Sequence, residues 1–171
     1  MDEKGLIRRA QFGDKKALDD LIEIYYDEVY SFLYRRTGDK STAEDITQNT
    51  FIKFIQRLPY YKEKSKLKSF IFTIAINTAN DYHRARKREP FLHYENENYV
   101  ETVQDSLENK EKAFLVRKAI ISLPDVQRDV LIMRFYHDMK IKEIASIQKV
   151  PLSTVKTRLK RAINTLKECE L

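Results

Sequence analysis

Apolar residues recur along this chain at intervals of three and four. Ala17, Leu18, Leu21, Ile22, Tyr25, Val29, Phe32 and Leu33 follow that spacing, which predicts one or two amphipathic helices across residues 3–36. The Gly38-Asp39 pair interrupts the pattern. It resumes in STAEDITQNTFIKFIQRL, where Ile46, Phe51, Ile52 and Ile55 make a stripe, Ser41 or Thr42 offers a capping oxygen, and Glu44 and Asp45 fall in the first turn. A third segment, Leu67 to Arg88, carries Phe70, Ile71, Ile74, Ala75 and Ala79 as its inward stripe. Near the C-terminus, Ile141, Ile144, Ala145 and Ile147 share one face, and small Ala145 leaves room for a second helix to cross. Lys149, Val150 and Pro151 break the period, after which Val155, Leu159, Ala162, Ile163 and Leu166 form a new stripe. That layout is a helix-turn-helix. Lys149 stands where glycine is usual, so the turn there carries a modest left-handed cost or adopts a variant geometry. With only three glycines and four prolines and no alternating strand pattern of useful length, the fold class is all-α.

The polar faces carry the candidate chemistry. On the last helix Lys156, Thr157, Lys160 and Arg161 project together, with Ser153, Thr154 and Arg158 beside them, from the half where recognition helices reach base edges. Ser153 or Thr154 can also cap that helix. From Lys149 to Lys167 no Asp or Glu offsets the positive residues, whereas an ordinary solvated face mixes signs. Asn77, Asn80, Asp81, Tyr82 and His83 sit just ahead of Arg84, Arg86, Lys87 and Arg88. Amides that read base edges, rings that stack and cations that hold phosphates are what a single-stranded or flipped nucleotide requires. Tyr60, Tyr61, Lys62, Lys64, Lys66 and Lys68 extend that character upstream, although any one of them alone reads better as a packed ring or a solvated lysine, and only the interleaving favours nucleic acid. Asp45, Gln48, Asn49 and Lys53 make a compact polar strip that fits either a protein-docking face or a solvated one.

Charge marks the domain boundary. YHRARKR is followed by a stretch in which Glu89, Glu95, Glu97, Glu101, Asp105, Glu108 and Glu111 face only Lys110, and the apolar residues among them lack a sustained period. Residues 89–108 therefore read as a flexible acidic linker between a helical domain at 1–88 and a second at 109–171. Such a linker can repel stray DNA, thread a basic channel or simply keep a tether soluble. The net charge of +6 favours a polyanionic partner. With no membrane-length apolar run and no leader-like start, a cytoplasmic protein is expected. Cys169 is the only cysteine, which excludes an internal disulfide and a cysteine-rich zinc site. His83, His93 and His137 are scattered, and no nucleophile-base pair, metal-ligand spacing or phosphate-cradling loop appears. The expectation is a binding protein with no catalytic residue, metal or cofactor.

Four stretches in order, GDKKALDDLIEIYYDEVYSFL, AEDITQNTFIKFI, FIFTIAINTANDYHRARKR and LPDVQRDVLIMRFYHDMKIKEIASIQKVPLSTVKTRLKRA, span nearly the whole chain. Their order and spacing resemble the extracytoplasmic-function sigma factors, small two-domain subunits for bacterial transcription initiation. The resemblance implies a monomer that binds core RNA polymerase through the clamp helices of its largest subunit and the flap of the second-largest. It assigns Asp45, Gln48, Asn49 and Phe51 to the clamp contact, with Asn49 where the family usually has glutamate. It implies that Asn77 holds a flipped base of the minus-ten element, with Asn80, Asp81, Tyr82, His83, Arg84, Arg86, Lys87 and Arg88 alongside. The family commonly has tryptophan at Phe70 and arginine at Thr73. The C-terminal domain would read the minus-thirty-five element through Ser153, Thr154, Lys156, Thr157, Lys160 and Arg161, with Arg158 as a phosphate or intramolecular partner. An anti-sigma factor, often membrane-anchored, is implied as well. The competing reading is a dimeric helix-turn-helix repressor or activator, which would bind a palindrome and would have no need of Asn77 and its neighbours.

Overall fold

The structure is a computed structural model that describes residues 2–62, 66–87 and 107–169. Four helices form the N-terminal unit: α1 (Glu3–Gln11), α2 (Lys15–Thr37), α3 (Lys40–Arg57) and α4 (Leu67–Arg86), with a short 3-10 turn at Leu58–Tyr60. The C-terminal unit holds α5 (Leu107–Ser122), α6 (Asp125–Phe135), α7 (Ile141–Gln148) and α8 (Leu152–Glu168). The described residues contain no strand, as the apolar spacing predicts. Residues 88–106, which hold almost all of the expected acidic linker, lie outside the described residues, and Leu107 and Glu108 open α5.

The expected helix or helices over 3–36 are two. Asp2 caps α1 by accepting from the Lys4 N–H, and the chain turns through Gly13 at a φ of 90° before Asp14 caps α2 by accepting from the Ala17 N–H. α2 is the central strut. Its Ala17, Leu21, Val29, Phe32 and Leu33 are fully buried against Ile46 and Phe54 of α3 and Ile71 and Phe72 of α4. Each large side chain removed from water this way contributes about 1.5–3 kcal/mol. α2 ends at Gly38, whose φ of 75° is the left-handed stop that glycine adopts without strain.

The expected caps of α3 and α8 are corrected. Asp39, not Ser41 or Thr42, caps α3, accepting from the Thr42 N–H at 2.8 Å. Because Gly38 ends α2 and Asp39 leads straight into α3, no room remains for a later start. Pro151 precedes α8 and no side chain caps it, so neither Ser153 nor Thr154 does so; the Thr157 hydroxyl instead donates to the Ser153 carbonyl at 3.0 Å. The stripe read on α3 also shifts. Ile46 and Phe51 are buried together with Thr47, Thr50 and Phe54, but Ile52 and Ile55 are 53% and 41% exposed. The threonines can sit inside because Thr47 and Thr50 donate their hydroxyls to carbonyls one turn back, at 2.7 Å each.

In the C-terminal unit α7 and α8 make the helix-turn-helix. Lys149 lies between them at φ 54°, ψ 46°, so the left-handed turn usual for glycine is present with lysine in it. Val155 and Ala162 of α8 and Ile144 and Ala145 of α7 are buried at the crossing. The two units pack on each other, α5 and α6 against α2 and α7 against α4. His137, in the turn before α7, lies edge-on to the rings of Phe32 and Phe72 of the N-terminal unit.

Candidate functional site

Three surfaces carry the residues singled out above. On α3, inward-facing Ile46, Phe51 and Phe54 fix the helix so that Asp45, Gln48 and Asn49 point to solvent beside exposed Ile52 and Ile55. That face offers a carboxylate and two amides next to bare apolar carbon, the mixture found at protein contacts. Phe51 is not part of it. It is 5% exposed, stacked on Tyr26 at 5.5 Å, and belongs to the core. Lys53 turns toward α4 and pairs with Asp81 at 3.4 Å.

The second surface is the C-terminal half of α4. Ile74, Ala75, Thr78 and Ala79 anchor one side of the helix, which leaves Asn77 exposed on the other. Asn80 is half-buried, its amide oxygen accepting from Arg36 Nη2 at 2.7 Å. Asp81 accepts from Arg84 at 3.0 Å, and the Arg86 guanidinium lies 5.7 Å from the centre of the Tyr82 ring. Half-buried His83 packs edge-on against Tyr82, and its Nε2 is buried with no hydrogen-bond partner among the described residues. Burial, reinforced by the positive field of Arg36, pushes its pKa below the usual value and keeps the ring neutral. Lys87 is exposed at the helix end, and Arg88 lies outside the described residues. Of the two departures on α4 from the usual family residues, Phe70 packs on Tyr61 at 4.8 Å, and Thr73 donates its hydroxyl to the Ser69 carbonyl at 2.8 Å.

The third surface is α8. Lys156, Thr157, Lys160 and Arg161 are all exposed on one face, and Ser153 is exposed at its start. Thr154 is half-buried. Arg158 faces inward, donating to the Gln148 side chain of α7 at 2.7 Å, so it ties the two helices of the motif together. The face that remains presents three cations and a hydroxyl with no carboxylate among them, which suits phosphates and base-edge acceptors.

Sequence reasoning missed Arg36, Arg128 and Asp129. Arg36 Nε donates to Asp129 at 2.6 Å across the two units, and both side chains are sealed from solvent. Burial pushes the Asp129 carboxyl upward, and Arg36 opposes that push. Arg128 donates to the Arg36 carbonyl at 2.8 Å. The only signal for Arg36 in the sequence was its helical phase, three residues beyond Leu33 and in register with the buried stripe.

Residues 21–89 match the family model for sigma-70 region 2, and residues 113–166 match that for sigma-70, region 4. The chain is similar to the extracytoplasmic-function RNA polymerase sigma factor SigW of Bacillus subtilis, at 28% identity over 96% of this chain and 95% of that one. It is also similar to the RNA polymerase sigma factor YlaC of the same organism, at 31% identity over 90% and 92%. Among solved structures, the sigma factor RpoE of Bartonella quintana in complex with the anti-sigma factor NepR superposes with a TM-score of 0.75 at 23% identity, covering 90% of this chain and 96% of that one. CnrH in complex with the cytosolic domain of CnrY gives a TM-score of 0.74 at 17% identity, covering 97% and 95%.

Proposed function

The chain belongs to the extracytoplasmic-function sigma factors, and from that membership we propose how its surfaces divide the work of initiation. The protein directs RNA polymerase to promoters and is not itself an enzyme. The exposed face of α3, with Asp45, Gln48, Asn49, Ile52 and Ile55, docks on the clamp helices of the polymerase's largest subunit, and the C-terminal unit meets the flap of the second-largest. The outer side of α4 takes the minus-ten element: Asn77 hydrogen-bonds an extruded base while Arg84, Arg86 and Lys87 hold the backbone. Capture of the base offsets unstacking of a few kcal/mol, so opening needs no nucleotide hydrolysis. Lys156, Thr157, Lys160 and Arg161 read the minus-thirty-five element in the major groove.

The observation that supports this reading most is the pairing, in one chain, of a region 2 unit and a region 4 unit that each leave a polar face exposed. Each unit alone binds weakly, and tethering them while polymerase fixes their separation supplies the avidity. Like RpoE and CnrH, the chain interacts with an anti-sigma factor; a membrane anchor on that partner is part of the proposal. Among the described residues no helix is long and apolar enough to cross a membrane.

The test is transcription from a genomic fragment pool by bacterial core polymerase with and without this protein, mapping transcript starts. New starts that share two spaced upstream elements are expected. An unchanged start map, together with tight dimeric binding of a palindrome by the protein alone, would overturn the proposal.

A further inference from the structure

Two aromatic rings of the N-terminal unit stand open to water. Phe12, at the end of α1, is 92% exposed, and Tyr60, in the 3-10 turn after α3, is 83% exposed. Gln11 joins them. Its Nε2 donates to the carbonyls of Leu58 and Tyr61 at 2.9 Å each, so the residue before Phe12 grips the backbone on both sides of Tyr60. The backbone beneath each ring is fixed. The Phe12 N–H donates to the Arg8 and Arg9 carbonyls at 3.1 Å, and Tyr61 is buried with its ring 4.8 Å from that of Phe70. A large ring left in water forgoes the gain of burial, and two of them on one rigid junction offer a surface that a flat ligand covers with little further ordering of the protein.

Charge selects the ligand. Around the two rings, from Arg8 to Lys16 and from Arg57 to Lys62, the exposed cations are Arg8, Arg9, Lys15, Lys16, Arg57 and Lys62. The one carboxylate in those stretches, Asp14, is occupied by Arg9 at 2.6 Å and by the cap of α2. Rings flanked by cations stack the bases and hold the phosphates of single-stranded nucleic acid, whereas a duplex keeps its base faces covered. Position points to the strand that α4 takes. Phe70, on which Tyr61 packs, lies seven residues before exposed Asn77, so the two share a face of α4 about 10 Å apart along the helix. That distance is about three bases at ~3.4 Å each.

We propose that Phe12 and Tyr60, paired by Gln11, form a stacking platform for bases of the melted strand beside the one that Asn77 takes. This rests on the reading of α4 as the minus-ten surface and extends that surface onto α1 and the turn after α3. Stacking tolerates any base, so the platform adds hold and leaves choice to Asn77 and its neighbours. Arg57 and Lys62 hold phosphates to either side of Tyr60. Gln11 is a positioning residue: it touches no base, and it sets the turn in advance so that Tyr60 meets the strand without first being ordered.

The chain has no tryptophan, so Phe12→Trp and Tyr60→Trp each install a single fluorophore while keeping a ring in place. In the full chain both should be quenched by a single-stranded oligothymidylate, and neither by heparin, which carries charge and no bases. Phe12→Leu with Tyr60→Leu should weaken oligothymidylate binding on the order of tenfold or more and leave its salt dependence as in wild type. Arg57→Gln with Lys62→Gln should instead lower the salt slope by about 1.4, the single-strand value for two phosphates. Gln11→Leu should weaken binding about threefold with both rings present, and should shrink the quench of Tyr60→Trp when the two are combined. Absence of quenching at either ring, or equal quenching by heparin, would overturn the platform. So would a leucine double variant that binds oligothymidylate like wild type, or one that loses core polymerase to the same extent as DNA, which would assign the rings to the polymerase. Quenching needs neither polymerase nor promoter, so a wild-type chain that yields no new transcript starts would count against the initiation reading and leave the platform to the fluorescence result.

Discussion

Asn77 and Asn80 stand almost one helical turn apart on α4, yet one faces solvent and the other is held by Arg36. Asn77→Ala removes an amide without disturbing packing, so it should lower promoter opening, read by permanganate footprinting, more than it lowers polymerase binding. Equal loss of both would show that Asn77 is not a base contact. On α8, Lys160→Ala and Arg161→Ala should each change preference among minus-thirty-five sequences in a binding selection, whereas a uniform loss would assign them to phosphates. Arg158→Ala should leave preference alone and cost about 1 kcal/mol of stability in a thermal melt, because its partner is Gln148. The exposed members of these sets were legible because helical phase separates them from the buried stripe. Phe51 and Ile52 were harder, since both are apolar and adjacent, and only the packing of Tyr26 on Phe51 decides which one turns inward. For Arg36 helical phase hinted at burial, but its partner Asp129 lies 93 positions away, and no local pattern announces such a pair.

At the scale of elements the periodic signal served well, and the ends of helices served less well. All the predicted helices exist, including both halves of the helix-turn-helix, because each has an apolar stripe long enough to bury. The start of α3 was misread because Ser41 and Thr42 offer capping oxygens just after Asp39, and the left-handed Gly38 lets the helix begin early enough for Asp39 to take that place. Asp39→Ala should therefore cost about 1 kcal/mol, measured by thermal denaturation, and Ser41→Ala should cost little. Lys149→Gly should raise stability by up to about 1 kcal/mol, because glycine adopts the observed φ of 54° without the Cβ penalty and loses part of that gain to chain entropy. A fall in melting temperature would mean that the lysine stem packs on the turn.

For the whole molecule, acid should weaken the structure through carboxylates that bridge the units. His137 and Lys68 hold Glu28 below the usual carboxylate range, and Lys66, with the Lys140 N–H, does the same for Glu143. A carboxylate whose pKa is depressed in the native state stabilises above the ordinary value near ~4.3, and that contribution disappears as pH falls through the lower native value. The melting temperature should accordingly be level above about pH 7, sag below about pH 6.5 as buried His83 is asked to take a proton, and fall more steeply below about pH 5. Glu28→Gln should lower the level part by roughly 2–4 °C and make the acid slope shallower. The docking of one unit on the other could not be foreseen from the sequence, since its contacts are single residues scattered over α2, α4, α5, α6 and α7, whereas the flip of charge after Arg88 was a local signal for the boundary.

Gly38 ends α2 in a left-handed turn, and a Cβ added there would lie 2.5 Å from Ile121 Cδ1 of the C-terminal unit. The missing methyl thus serves two neighbours, one along the chain and one across it. In a genetic screen a Gly38→Ala allele would carry two separable defects, and second-site suppressors should arise at position 121, where Ile121→Val withdraws the colliding carbon. They would restore the fit between units and leave the backbone penalty of about 1 kcal/mol in place, so revertants would be partial.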